Sequence, residues 1–125
     1  HPPFTNSAIV EPSPDVRDWF FGPFARSKKG ILFLSGHAHT FEHFTEGGKT
    51  ELVIGGGGGL LQPLLQEPER PFRATTSEVN GKFHYIIVHT SGQQLRVEIR
   101  VVTSNRAIVN ADRVIDIPFP GKEHR

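Results

Sequence analysis

Leu95, Val97, Ile99 and Val101 alternate with Arg96, Glu98 and Arg100. Successive side chains on a strand point to opposite faces, so this stretch is predicted to be a strand with one buried and one wet face. Ile31–Leu34, Lys49–Ile54, Phe83–His89 and Val114–Ile117 are read as further strands, and the longest apolar runs, such as Ile31–Leu34 and Tyr85–Val88, are far too short for a membrane span. Asn80–Gly81 and Ser91–Gly92 are turn signals on either side of the Phe83–His89 run. One helix is predicted near the start, where Ser13, Pro14 and Asp15 supply an N-cap oxygen, a proline at the first helical position and an acid in the first turn. Val16, Trp19 and Phe20 then share one apolar face. Gly22–Pro23 breaks or kinks the segment, and Lys28–Lys29–Gly30 reads as a basic last turn with a glycine stop. The order is loop, helix, strand, loop and then mostly strands. It suits one edge of an α/β sandwich whose second half is mostly β.

Composition removes several function classes. A net charge of +1 with no block of like charge gives no electrostatic footprint for nucleic acid or a membrane surface. The absence of cysteine excludes disulfides, thiolate metal sites and a cysteine nucleophile. No methionine occurs, so a portion upstream of His1 is expected. Gly55–Gly59 follows a predicted strand, but Leu60 and Leu61 come next where a phosphate-binding loop needs Lys and Ser or Thr. The run is read as a tight or flexible turn. Leu60–Thr76, rich in proline, glutamine and charge, is read as a loop.

The seven histidines are the informative feature. His37 and His39 lie in Ser35–Gly36–His37–Ala38–His39, directly after the Ile31–Leu34 strand. On a loop leaving a strand, two imidazoles at i and i+2 can converge on one or two ions. The small Gly36 and Ala38 permit close backbone approach, and neutral imidazole suits first-row metals. A second histidine-bearing loop opens the chain, where Pro2 and Pro3 stiffen the backbone after His1. His43 is either a neighbour of the pair or an exposed residue. His84 and His89 sit five apart on one predicted strand and face opposite ways. With His124 in the tail, they are read as non-ligands.

The segment Phe33–Leu34–Ser35–Gly36–His37–Ala38–His39–Thr40–Phe41–Glu42 resembles the Gly-His-x-His motif of calcineurin-like metallophosphoesterases. The aromatic and acid that follow are similar to the purple-acid-phosphatase-like branch. His1–Pro2–Pro3–Phe4 resembles the family's earlier His-Pro loop, and the glycines after Val53–Ile54 add a further likeness. The likeness covers roughly the first half of the chain.

This resemblance implies a four-layer sandwich of two sheets and flanking helices, with the chain as the C-terminal part of one such domain. It implies two metal ions, zinc, iron or manganese, with His37 on one and His39 on the other. His1 is implied either as a third ligand or as a catalytic neighbour facing a phosphate ester substrate, and His43 as a substrate-facing or supporting residue. In the family, the two metals polarise the ester and activate a water, and no protein nucleophile is required. The family's Asp-x-His, Gly-Asp and Gly-Asn-His motifs, which supply a bridging aspartate, an asparagine ligand and a transition-state histidine, have no counterpart here. They are expected in a missing N-terminal half, without which the chain is expected to be inactive. Phe41 replaces the branch's usual tyrosine, and His43 stands where arginine is frequent. Two other readings stay compatible with the residues: a non-catalytic metal-binding remnant, and a β-rich interaction module in which His37 and His39 are incidental.

Overall fold

The computed structural model describes residues 1–74, 79–102 and 111–121; His124 and the end of the predicted 60–76 loop lie outside them. Strand outweighs helix, 37% to 12%, and the strands form two small sheets. The first contains β1 (Leu32–Ser35), β2 (Phe41–Glu46) and β3 (Lys49–Ile54), in the order β1-β3-β2. β1 runs parallel to β3, and β2 antiparallel to it. The second contains β4 (His84–Thr90), β5 (Gln94–Val101) and β6 (Arg113–Pro118) as an antiparallel meander in chain order. No described helix is long and apolar enough to cross a membrane.

β5 keeps the expected alternation, with Val97, Ile99 and Val101 buried between the less buried Arg96, Glu98 and Arg100. Those three join Ile31, Phe41, Leu52 and Ile117 in one apolar cluster that draws on both sheets. The opposite face of the first sheet carries Glu42 and Phe44 on β2, and Glu51 and Val53 on β3. There Phe44 pairs with Glu51, and Glu42 with Val53. A second cluster of Ala38, Phe44 and Val53 forms on this face, with Phe4, Val10 and Phe72 packed on it.

β2 was not expected from the sequence. It is joined to β3 by Gly47–Gly48, whose φ angles of 56° and 73° suit the two-residue turn of a hairpin. Three of its six residues are charged or imidazole, and four of the six are buried or nearly so on both faces. The alternation that marks a half-wet strand is therefore missing.

The helix also departs from expectation. It is capped as predicted, with the Ser13 hydroxyl accepting from the Val16 amide at 3.3 Å. Of the break or kink expected at Gly22–Pro23, the break does not occur, and the helix is distorted instead. α1 (Pro14–Val16) passes through a π-helical stretch, Arg17–Phe21, into α2 (Gly22–Arg26). Proline in a helix clashes with the carbonyl four residues back. Here the chain widens instead, the Gly22 amide bonding the Arg17 carbonyl five residues away. The extra residue turns the apolar face. Trp19 and Phe20 are 76% and 65% exposed, while Phe21 and Phe24 pack on Phe33, and Phe21 also on Phe4. Gly30 is not a helix stop, since α2 ends at Arg26. Gly30 is needed because a Cβ there would press into the Phe24 ring.

Residues 60–74 are fixed to the opening segment. Ser7 bridges Leu64, the Leu65 amide bonds the Asn6 carbonyl at 2.8 Å, and the Asn6 side chain brackets Phe72 with two bonds.

Candidate functional site

Three segments meet at the ends of β1 and β3: the opening loop, the Gly36–Thr40 loop and the glycine run. Glu42 ties the first two together. Fully buried, it accepts from the Thr5 hydroxyl at 2.5 Å, the Asn6 amide at 2.7 Å and the Thr40 hydroxyl at 3.1 Å. Charge-assisted bonds of this kind are the strong ones. With Pro2 and Pro3 buried and the Pro2 carbonyl accepting from the Ser13 amide, the opening loop is held on both sides.

The loop thus fixed brings His1 against His37. Their rings lie 4.0 Å apart between centroids, tilted by 34°. His37 adopts φ 65°, in the left-handed region that side chains other than glycine's enter rarely. The Ala38 amide reaches back to the Gly36 carbonyl at 2.8 Å, closing a three-residue turn around it. Strained backbone of this sort concentrates at functional sites.

His39 is oriented separately. Its Nδ1 lies 2.7 Å from the Leu60 carbonyl, and its amide donates to the Gln62 side chain at 3.0 Å. A carbonyl can only accept, so Nδ1 carries the proton and Nε2 presents its lone pair. Metal-binding imidazoles are arranged in this way. The donor chemistry of His39 therefore fits a metal ion. Among the described residues, no group of three or more His, Asp or Glu side chains converges on one point. The structure joins His1 to His37 but does not add His39 to that pair.

The glycine run explains how the loops fit. A Cβ on Gly55 would collide with the Ala38 carbonyl, and one on Gly59 would collide with the His39 ring. Glycine is required here for close approach to the one loop that carries both His37 and His39.

His43 points the other way, toward the second sheet. Its Nδ1 accepts from Arg113 at 3.0 Å, and its Nε2 lies 3.2 Å from the Thr45 hydroxyl. Burial, then the Arg113 charge, lowers its pKa. Both ring nitrogens are thus occupied.

Two buried groups were named in the sequence without a role: Glu42 as the acid after the histidine pair, and His84 as a non-ligand. Glu42 is the clamp just described, and its signal was the Thr-Phe-Glu that follows the histidine pair. His84 is buried against Gly56, with Nδ1 2.8 Å from the Lys82 carbonyl and Nε2 unpartnered. Burial lowers its pKa, opposed by that carbonyl. His89, by contrast, is exposed on the other face beside Glu98, as the odd spacing predicts. No family model matches the chain, and no curated protein and no solved structure matches it.

Proposed function

We propose that this chain is the C-terminal part of a dinuclear metallophosphoesterase, which in the intact protein hydrolyses a phosphoric ester. The observation that carries the reading is the 4.0 Å contact between His1 and His37, which joins the two histidine loops across the sequence. The fixed tautomer of His39 and the left-handed turn at His37 support it. In this reading the two sheets belong to the four-layer sandwich of that family.

His37 would hold one ion and His39 the other, with zinc, iron or manganese as candidates. Such ions would supply Lewis acidity toward the ester and would lower the pKa of a water so that it could act as nucleophile near neutral pH. The chain's own residues set the geometry. Glu42 locks the opening loop so that His1 stands beside His37, facing the ester. The Leu60 carbonyl holds the His39 ring in the ligating tautomer, and Gly55 and Gly59 let the loops close. His43, bound to Arg113, supports β2 from behind. The bridging aspartate, the asparagine ligand and the transition-state histidine must come from outside these 125 residues.

The test is to express the protein together with its upstream coding region and assay p-nitrophenyl mono- and diesters with each of the three metals. Metal-dependent hydrolysis is expected. His37→Ala and His39→Ala should each lower kcat by about a hundredfold or more. No hydrolysis with any of the metals, or hydrolysis indifferent to both substitutions, contradicts the reading.

A further inference from the structure

On the opposite flank of the first sheet, Phe4, Phe21, Phe44 and Phe72 line a pocket of about 290 Å³ that Glu51 also lines. Phe4 stands edge-on to Phe21 at 5.0 Å and to Phe72 at 5.3 Å between centroids. Glu51 projects from β3 opposite Phe44 and is 2% exposed, and among the described residues its carboxyl has no side-chain partner, only the pull of the nearby Phe4 amide. A buried carboxyl costs several kcal/mol when nothing answers it, and in folded proteins such groups are nearly always paired. Aromatic faces attract cations, and a ring of them around an acid favours one desolvated positive charge.

We propose that this pocket binds a small organic ammonium ion, its positive head seated among the phenylalanines against the Glu51 carboxylate. The proposal does not rest on the phosphoesterase reading.

Two cations and two acids line the pocket, Lys49 and Arg73 with Glu46 and Glu51. The Lys49 ammonium is already bonded to the Ser27 and Gly30 carbonyls. Glu42, on β2, adds negative potential at Glu51. At the open side, Arg73 and Glu46 are both exposed and of opposite sign. Among the described residues, no side-chain cation is bonded to the Glu51 carboxyl at the floor of the pocket.

Burial, first, and the Glu42 charge push the Glu51 pKa up to about 8, against the opposing pull of the Phe4 amide. Near neutral pH the empty pocket thus holds a protonated acid. Ammonium binding releases that proton to solvent and leaves a carboxylate against the cation. Affinity should therefore rise with pH up to about 8 and level off above it.

Calorimetric titration with choline and with its neutral tert-butyl analogue tests the proposal on the unaltered protein. Choline is expected to bind saturably and about tenfold or more tightly than the analogue. Glu51→Gln should remove that preference. Equal affinity for the two compounds, no saturable choline binding, or a preference that survives Glu51→Gln overturns it.

Discussion

Glu42 and Glu51 sit on the same face of one three-stranded sheet, and both are closed off from water. Around Glu42, two hydroxyls and a backbone amide from two loops converge on the carboxylate. Around Glu51, four phenylalanines and an open pocket take their place. The first region is a joint that fixes the histidine loops. The second is a cavity whose acid has no side-chain partner among the described residues. Burial alone does not say what a carboxylate does; the donors around it do.

The contrast can be broken most forcefully at Glu42. Glu42→Ala strands the Thr5 and Thr40 hydroxyls and the Asn6 amide, and should cost about 3 kcal/mol or more in urea denaturation. It should also abolish the ring contact of His1 with His37, read from their NMR shifts. A loss below about 1 kcal/mol would mean that the clamp is incidental.

Next in size is the pH dependence of Glu51. Its folded pKa, about 8, lies above the ordinary 4.5, so between those values the folded protein holds a proton that unfolding releases. Stability contributed by this proton is full below the ordinary value and is lost as pH rises toward 8. The slope is on the order of 1 kcal/mol per pH unit. Denaturation of the unaltered protein and of Glu51→Gln across this range should show the substitution flattening the decline. Parallel profiles would show that Glu51 is not perturbed in the folded state.

A third change sharpens the account of the joint. Gly59→Ala should displace the His39 ring and break its bond to the Leu60 carbonyl, while costing about 1–3 kcal/mol. Its effect on metal affinity should exceed that of Gly57→Ala, where a Cβ meets nothing within 4 Å. Equal effects would detach the glycine run from His39. The smallest effect is expected at Arg113→Ala, which removes a nearby positive charge from His43 and should move its pKa up toward the ordinary value in an NMR titration. No upward movement would mean that burial alone sets it.

Much of this was legible from residue order, for physical reasons. β5 betrays itself because one of its faces is wet, and β3 because Leu52–Ile54 is apolar and the segment is bounded by glycines. β2 hides because both faces are largely buried and its interior includes an acid and an imidazole. Gly47–Gly48, between Glu46 and Lys49, was the local signal that would have revealed the hairpin. The helix start was readable from its cap. The helix face was not, because Pro23 imposed a π-turn that moved the packing from Trp19 and Phe20 to Phe21 and Phe24. His37 and His39 were visible as a pair, but their separate supports depend on residues far along the chain. Glu51 could not be recognised at all, because an acid within a strand ordinarily faces water.

On the proposed reading, His37 and His39 each hold a separate metal ion. The most direct test is the metal content of the protein expressed with its upstream region, measured by mass spectrometry after gel filtration. The account predicts two ions per chain, with about one lost in His37→Ala and about one in His39→Ala. A protein that retains no metal, or whose metal content ignores both substitutions, contradicts it.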